Sequence, residues 1–165
     1  MQPVSYNATF DMQPAVPGLL ADSGFTDKIT VPCGAAAHAF GTVVAAVAAT
    51  GVSVRPIGTN VLQGIAIYDA TLAGRHNAQD GYVQYDAIST LRRGRIWARA
   101  SGTCTKDAVA KFDPATGVFA DAGTATYPNA RFLSGNITSV ALLPGETTEQ
   151  MVLVELGEPT LPAAA

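Results

Sequence analysis

Glycine and proline punctuate this chain so closely that no window of eleven or more residues keeps a clean apolar helical face with caps. Short runs rich in β-branched residues stand between the breaks. Thr42–Ala48 and Gly51–Pro56 read as a buried strand pair around a glycine turn near Gly51. Val61–Tyr68, VLQGIAIY, alternates and is interrupted at Gly64, which predicts a β-bulge. Asp107–Ala120 gives two short arms about Asp113-Pro114-Ala115-Thr116-Gly117. Proline presets the first turn torsion there and glycine supplies a positive φ, so the segment predicts a hairpin. Ala130–Leu133 reads as a short edge piece. Ile137–Leu143 and Met151–Leu156 read as a last pair around Pro144-Gly145-Glu146. Thr71–Gly81, polar and bounded by glycine, reads as a loop. Short strands between frequent turns predict an all-β fold, a compact antiparallel barrel or jelly-roll-like sandwich.

A chain of 165 residues suits one such domain. The expected division is an extended N-terminal arm at 1–32, a β-domain at 33–157 and a tail at 158–165. The arm holds four prolines and little periodicity. Val16, Leu19, Leu20, Phe25 and Ile29 are too apolar for a free tail, so the arm is expected to gain order by lying on a neighbouring subunit or other partner.

Tyr82–Ala100, YVQYDAISTLRRGRIWARA, predicts two strands turning at Arg92-Arg93-Gly94. On the second arm Arg95, Trp97 and Arg99 share one face and Ile96, Ala98 and Ala100 the other, because side chains alternate along a strand. One face is made for burial and the other for contact. Interleaved arginine and aromatic residues suit single-stranded nucleic acid or a protein interface. The charge favours protein. The net charge is -3, the last 34 residues carry four Glu and no cation, and non-specific nucleic-acid binders carry a basic excess. Arg93, Arg95, Trp97 and Arg99 are therefore expected to meet an acidic, partly apolar protein surface. That surface belongs either to another protein or to the Glu-bearing C-terminal part of a neighbouring copy. A small single-stranded nucleic-acid-binding barrel is the alternative.

No catalytic arrangement emerges. The chain has two His and lacks G-x-S-x-G, H-E-x-x-H and P-loop patterns. Cys33, His38, His76 and Cys104 lack the close ligand pairs of a structural zinc site. Cys33 and Cys104 are expected to be free core residues and His38 a satisfied buried one. No enzyme activity and no cofactor are expected. Cys33–Val54 has no charge across 22 residues, but its Ala, Gly, Thr and Val content and the lack of a flanking basic cluster argue against a membrane span. The N-terminal MQPVSYNATFDMQP reads as mature protein without a secretory signal, and the two cysteines suit a reduced cytoplasm.

The order of segments resembles the structural cement, or head-decoration, proteins of tailed bacteriophages. AVPGLLADSG (15–24) is similar to that family's Pro/Gly-rich lead-in and AHAFGTVVA (37–45) to its first strand. YVQYDAISTLRRGRIWARA resembles its central unit. KFDPATGVFADAG (111–123), then TYPNARFLSG (126–135) and a terminal apolar strand, resemble its closing half. The similarity spans roughly residues 12–157; the loop near Gln84–Asp86 departs from it by lacking a Gly-Asp pair. The resemblance implies a β-rich protein made in the host cytoplasm and placed on the outer surface of the virion capsid. It implies binding to the major capsid protein where subunits meet, and a dimer or trimer on a local symmetry axis. It implies no direct nucleic-acid contact, no membrane, no catalysis and no cofactor. Arg93, Arg95, Trp97 and Arg99, with Val16, Leu19, Leu20 and Phe25 of the arm, are the expected interface.

Overall fold

The computed structural model describes residues 16–21, 26–75, 81–138 and 149–157. In chain order the elements are β1 (Asp27–Pro32), β2 (His38–Ala39), β3 (Val43–Ala46), β4 (Ser53–Val54), β5 (Val61–Ala66), α1 (Ala70–Arg75) and β6 (Gly81–Tyr82). They continue with β7 (Ala87–Arg99), β8 (Val109–Phe112), β9 (Ala125–Phe132), β10 (Ile137–Thr138) and β11 (Gln150–Leu156). The fold is all-β, a curled antiparallel sheet forming a half-barrel, as the turn-punctuated sequence predicts. The sheet runs β4-β3-β5-β7-β11-β9-β8, with β1 added to β7 and β10 to β11; β2 and β6 form a separate pair.

β7 is the spine, and it corrects the expected hairpin. Arg92-Arg93-Gly94 does not reverse the chain. A two-residue hairpin turn needs positive φ at least at its first central residue; neither Arg92 nor Arg93 has it, and Gly94 alone is positive, at 125°. Both halves of the strand find partners if it stays extended. Ala87–Arg93 pairs with β1, and Thr90 and Leu91 also pair with β5. Gly94–Arg99 pairs with β11. The triplet does mark an irregularity. Asp27 opposes Arg93 while Lys28 opposes Leu91, so Arg92 is an extra residue on β7. An extra residue flips the inward face. That is why Leu91 and Ile96, an odd number of positions apart, lie in the same core cluster.

That cluster fills the concave side with Phe112, Phe119, Tyr127 and Phe132, whose rings meet mostly edge to face at 6.1–6.4 Å. A second cluster of Cys33, Phe40, Val44, Ala66, Tyr82 and Ile88 buries the other face of β7's first half. Cys33 and Cys104 are buried and free. Burial raises both thiol pKa values, that of Cys104 to about 11 with help from the Asp121 carboxylate. A raised pKa and lost access both suppress thiolate attack. An aromatic disulfide reagent should therefore find no fast-reacting thiol in the native protein and two after unfolding; rapid native labelling of either cysteine would contradict this.

The glycine turn after β3, the Gly64 bulge in β5 and the turn after β8 form where the sequence places them. The β3–β5 register slips opposite Gly64. The Asp113 carbonyl accepts from the Gly117 amide at 2.7 Å, and its carboxylate accepts from Ala115 N and the Thr116 hydroxyl. Two other segments differ. Part of the expected 71–81 loop is α1, started by the Asp69 carboxylate accepting from Thr71 N at 2.8 Å, an N-cap. The expected 130–133 edge piece is an eight-residue strand, β9, lying between β11 and β8. Its Pro128 is tolerated because the β8–β9 register breaks between Val109 and Lys111, beside Asn129 with φ 54°. β10 and β11 pair as expected, while the turn at 144–146 lies outside the described residues.

Within the expected arm at 1–32, the described residues 16–21 and 26–32 already find partners in the chain's own sheet. β1 pairs along β7 over six residues, and residues 18–21 bond to β7's second half. Leu20 stands opposite Ile96 and packs on the main core.

Candidate interface

The second half of β7 sets out the site. Ile96 and Ala98 are fully buried, so Arg95, Trp97 and Arg99 point to the convex face, the alternation expected from the sequence. Trp97 is half-buried and belongs to neither core cluster. Leu153 stands directly opposite it on β11. On the other edge the Trp97 amide donates to the Leu19 carbonyl at 3.0 Å, and Leu19 is 39% exposed because its neighbour Leu20 turns inward. Beyond β11, the Leu133 amide donates to the Leu153 carbonyl at 2.7 Å. Phe132 and Val154, the next pair, are buried, so half-buried Leu133 and Leu153 share the convex face. Leu19, Trp97, Leu153 and Leu133 thus form an apolar stripe running across adjacent strands.

Charge borders the stripe. One residue row along, Arg95, Glu155 and Arg131 stand opposite one another on β7, β11 and β9. Arg95 Nε donates to Glu155 Oε1 at 3.0 Å, and Arg131 Nε donates to Oε2 at 2.8 Å. The terminal nitrogens repeat both contacts at 3.0 and 2.8 Å. Each guanidinium presents two donors, and the hydrogen bonds from Arg131 and Arg95 hold the Glu155 carboxyl below its usual range. On the other side, Arg99 Nε donates to the Phe40 carbonyl at 3.0 Å, and its guanidinium pairs with Glu149.

These contacts place each expected site residue. Arg95, Trp97, Arg99 and Leu19 share one convex region. Arg93 stands opposite Asp27 on β1. Val16 is half-buried at the start of the described chain, Leu20 is inward, and Phe25 lies outside the described residues. The acidic surface expected for Arg95 and Arg99 is present within the same chain, as Glu155 and Glu149. The sequence shows the charge asymmetry between β7 and the C-terminal part, and the fold resolves it internally by pairing β7 with β11. Leu133, Leu153 and Arg131 were missed. The alternation in MVLVEL signals a strand with Leu153 and Glu155 on one face, but only the pairing of β9, β11 and β7 brings them beside Trp97.

His38 also departs from expectation. It is fully buried, and neither ring nitrogen has a hydrogen-bond partner, so it is not a satisfied histidine. Burial, then the Arg55 charge, lowers its pKa to about 4. Among the described residues no group of three or more His, Cys, Asp or Glu could hold a metal, and His76 lies outside them. No helix among them is long and apolar enough to cross a membrane. What the convex face offers is an apolar strip with ion-paired charge on both sides, suited to docking a protein.

A family profile described as "Structural cement protein (E217 gp24/Pam3 gp6)" matches residues 3–157. No curated protein matches the chain.

Proposed function

Because this chain belongs to the phage structural cement protein family, we propose that it binds the outer surface of an assembled capsid where major capsid protein subunits meet, and stabilises the shell against the pressure of packaged DNA. The observation that supports this reading is the Leu19–Trp97–Leu153–Leu133 stripe with its bordering ion pairs. A half-exposed Trp at the centre of a rigid sheet face is the kind of anchor that carries protein association. The ion pairs preorganise the rim. Arg95 and Arg131 share one carboxylate and Arg99 is held by Glu149, so docking need not leave a buried charge without a partner. A ligand that binds only the assembled lattice stabilises it by mass action. The role is structural, without catalysis or cofactor. The protein is made in the host cytoplasm, joins the virion from outside, and acts as a homo-oligomer on a local symmetry axis. The internal pairing of Arg95 and Arg99 weighs against the nucleic-acid alternative, which needs cations available to phosphate.

The test is decoration of shells that lack the protein. Trp97→Ala is expected to weaken shell binding by on the order of 2 kcal/mol, about thirtyfold, with a well-folded β-sheet retained. A variant whose binding falls only in proportion to its unfolded fraction would make Trp97 a stability residue and remove the stripe from the interface. Shell melting that is unchanged by saturating wild-type protein would remove the cement function.

A further inference from the structure

The turn joining β6 to β7 carries an aromatic side chain that the fold does not use. The Asp86 amide donates to the Val83 carbonyl at 3.0 Å, closing a four-residue turn, and φ at its third residue, Tyr85, is 77°. That is the type II arrangement, whose third position favours Gly or Asn because a Cβ is strained there. A bulky residue at positive φ is an outlier that points to function when nothing else accounts for it. The Tyr85 side chain is 90% exposed. The turn is held by other groups: the Asp86 carboxylate accepts from Val83 N at 2.8 Å, Cys33 N donates to the Asp86 carbonyl at 2.8 Å, and Tyr85 N donates to the Cys33 carbonyl at 3.2 Å. None of these contacts uses the phenol ring. In the isolated protein Tyr85 therefore brings backbone strain and almost no burial.

Resting on the cement reading above, we infer that Tyr85 is a second attachment point, inserting its ring into an apolar pocket of the shell protein. The phenol would meet a polar group at the pocket's mouth. Tyrosine combines a rigid apolar body with a polar tip and is enriched at interface centres for that reason. Position supports the assignment. Tyr85 precedes the first residue of β7, whereas Trp97 lies near its end. Trp97 lies ten positions along the strand from Ala87, a span of at most about 33 Å at the usual strand rise. The turn before β7 and the end of β7 thus hold two anchors far enough apart to engage different parts of the shell. Two linked contacts hold more tightly than either alone when their spacing matches the target.

Tyr85→Asn tests this, because Asn accepts positive φ and removes the ring. Its melting temperature should be unchanged or raised, and its affinity for shells lacking the cement protein should fall at least tenfold. Relief of strain with loss of binding is a pair of effects that a purely structural tyrosine cannot produce. Wild-type affinity in Tyr85→Asn overturns the inference while leaving the cement function standing. A lowered melting temperature, with binding lost only through unfolding, overturns it as well. If the wild-type chain fails to bind shells, the cement reading falls and the second anchor with it.

Discussion

Gly64→Ala is expected to cost about 4 kcal/mol or more, enough to unfold a large share of the protein at physiological temperature. Gly64 lies in β5 with φ 141°, a region that residues with a Cβ rarely enter. A Cβ built there would stand 2.4 Å from the Leu91 carbonyl oxygen and 2.9 Å from its carbon. Those atoms are backbone of the central strand, so no side chain can swing aside. Relief would require separating β5 from β7 at the Ile65–Leu91 pair, two residues that are fully buried in the main core. Gly51→Ala is the control. Gly51 has φ 67° but nothing within 4 Å of a built Cβ, so it should lose only the torsional term, about 1 kcal/mol. Chemical denaturation of the two variants checks the difference. Equal losses would mean that torsion, and not the approach of β7, limits Gly64.

The same contrast separates what the sequence makes legible from what it hides. The Gly64 bulge, the turn near Gly51 and the Asp113–Gly117 turn are local. Each is written in residues that must take an unusual torsion or that bond to their own backbone. The alternation of Arg95, Ile96, Trp97 and Ala98 is local too, and it correctly orients the convex face. The Arg92-Arg93-Gly94 reading failed because a glycine after two bulky residues looks the same at a hairpin and at a bend within a strand. Only non-local pairing decides between them, and here β1 and β11 keep the strand extended on either side of the bend. Pro128 disfavours a strand interior, and the register break that accommodates it in β9 depends on β8, which the local sequence does not show.

The candidate site shows this limit in its charges. Glu155 lies 60 residues from Arg95 and 24 from Arg131, yet it joins both. A charge imbalance between segments is equally compatible with pairing in the same chain or in another, and only the β7–β11 register assigns it. Tyr85 marks the opposite case. The missing glycine near Gln84–Asp86 is visible in the sequence, but it becomes informative only once the turn is seen to form with positive φ anyway.

His38 should give the protein a stability that falls with acid well above the carboxylate range. Its ring stands on β2 opposite Tyr82, fully buried with both nitrogens unpartnered. Desolvation, then the Arg55 charge, lowers its native pKa from 6.5 to about 4. The sign follows from proton uptake. Above pH 6.5 the ring is neutral in both states and favours neither. Between pH 6.5 and 4 the unfolded chain binds a proton that the native protein refuses, so stability declines as pH falls. Below 4 both states are protonated and the loss is complete. A displacement of that size corresponds to about 3 kcal/mol. Glu155 and Asp121, whose pKa values are lowered, add their own loss as pH falls through the ordinary carboxylate range and below it, so the upper part of the histidine window stands apart from theirs. Unfolding near pH 5 should take up close to one proton per chain through this group. His38→Leu should flatten the pH dependence between 6.5 and 4 relative to wild type, and at pH 7 it removes an unsatisfied polar ring at little or no cost. A wild-type stability that stays level from pH 6.5 to 5, or a His38 ring resonance titrating near 6.5 in the native protein, would show that the ring is not held neutral by burial.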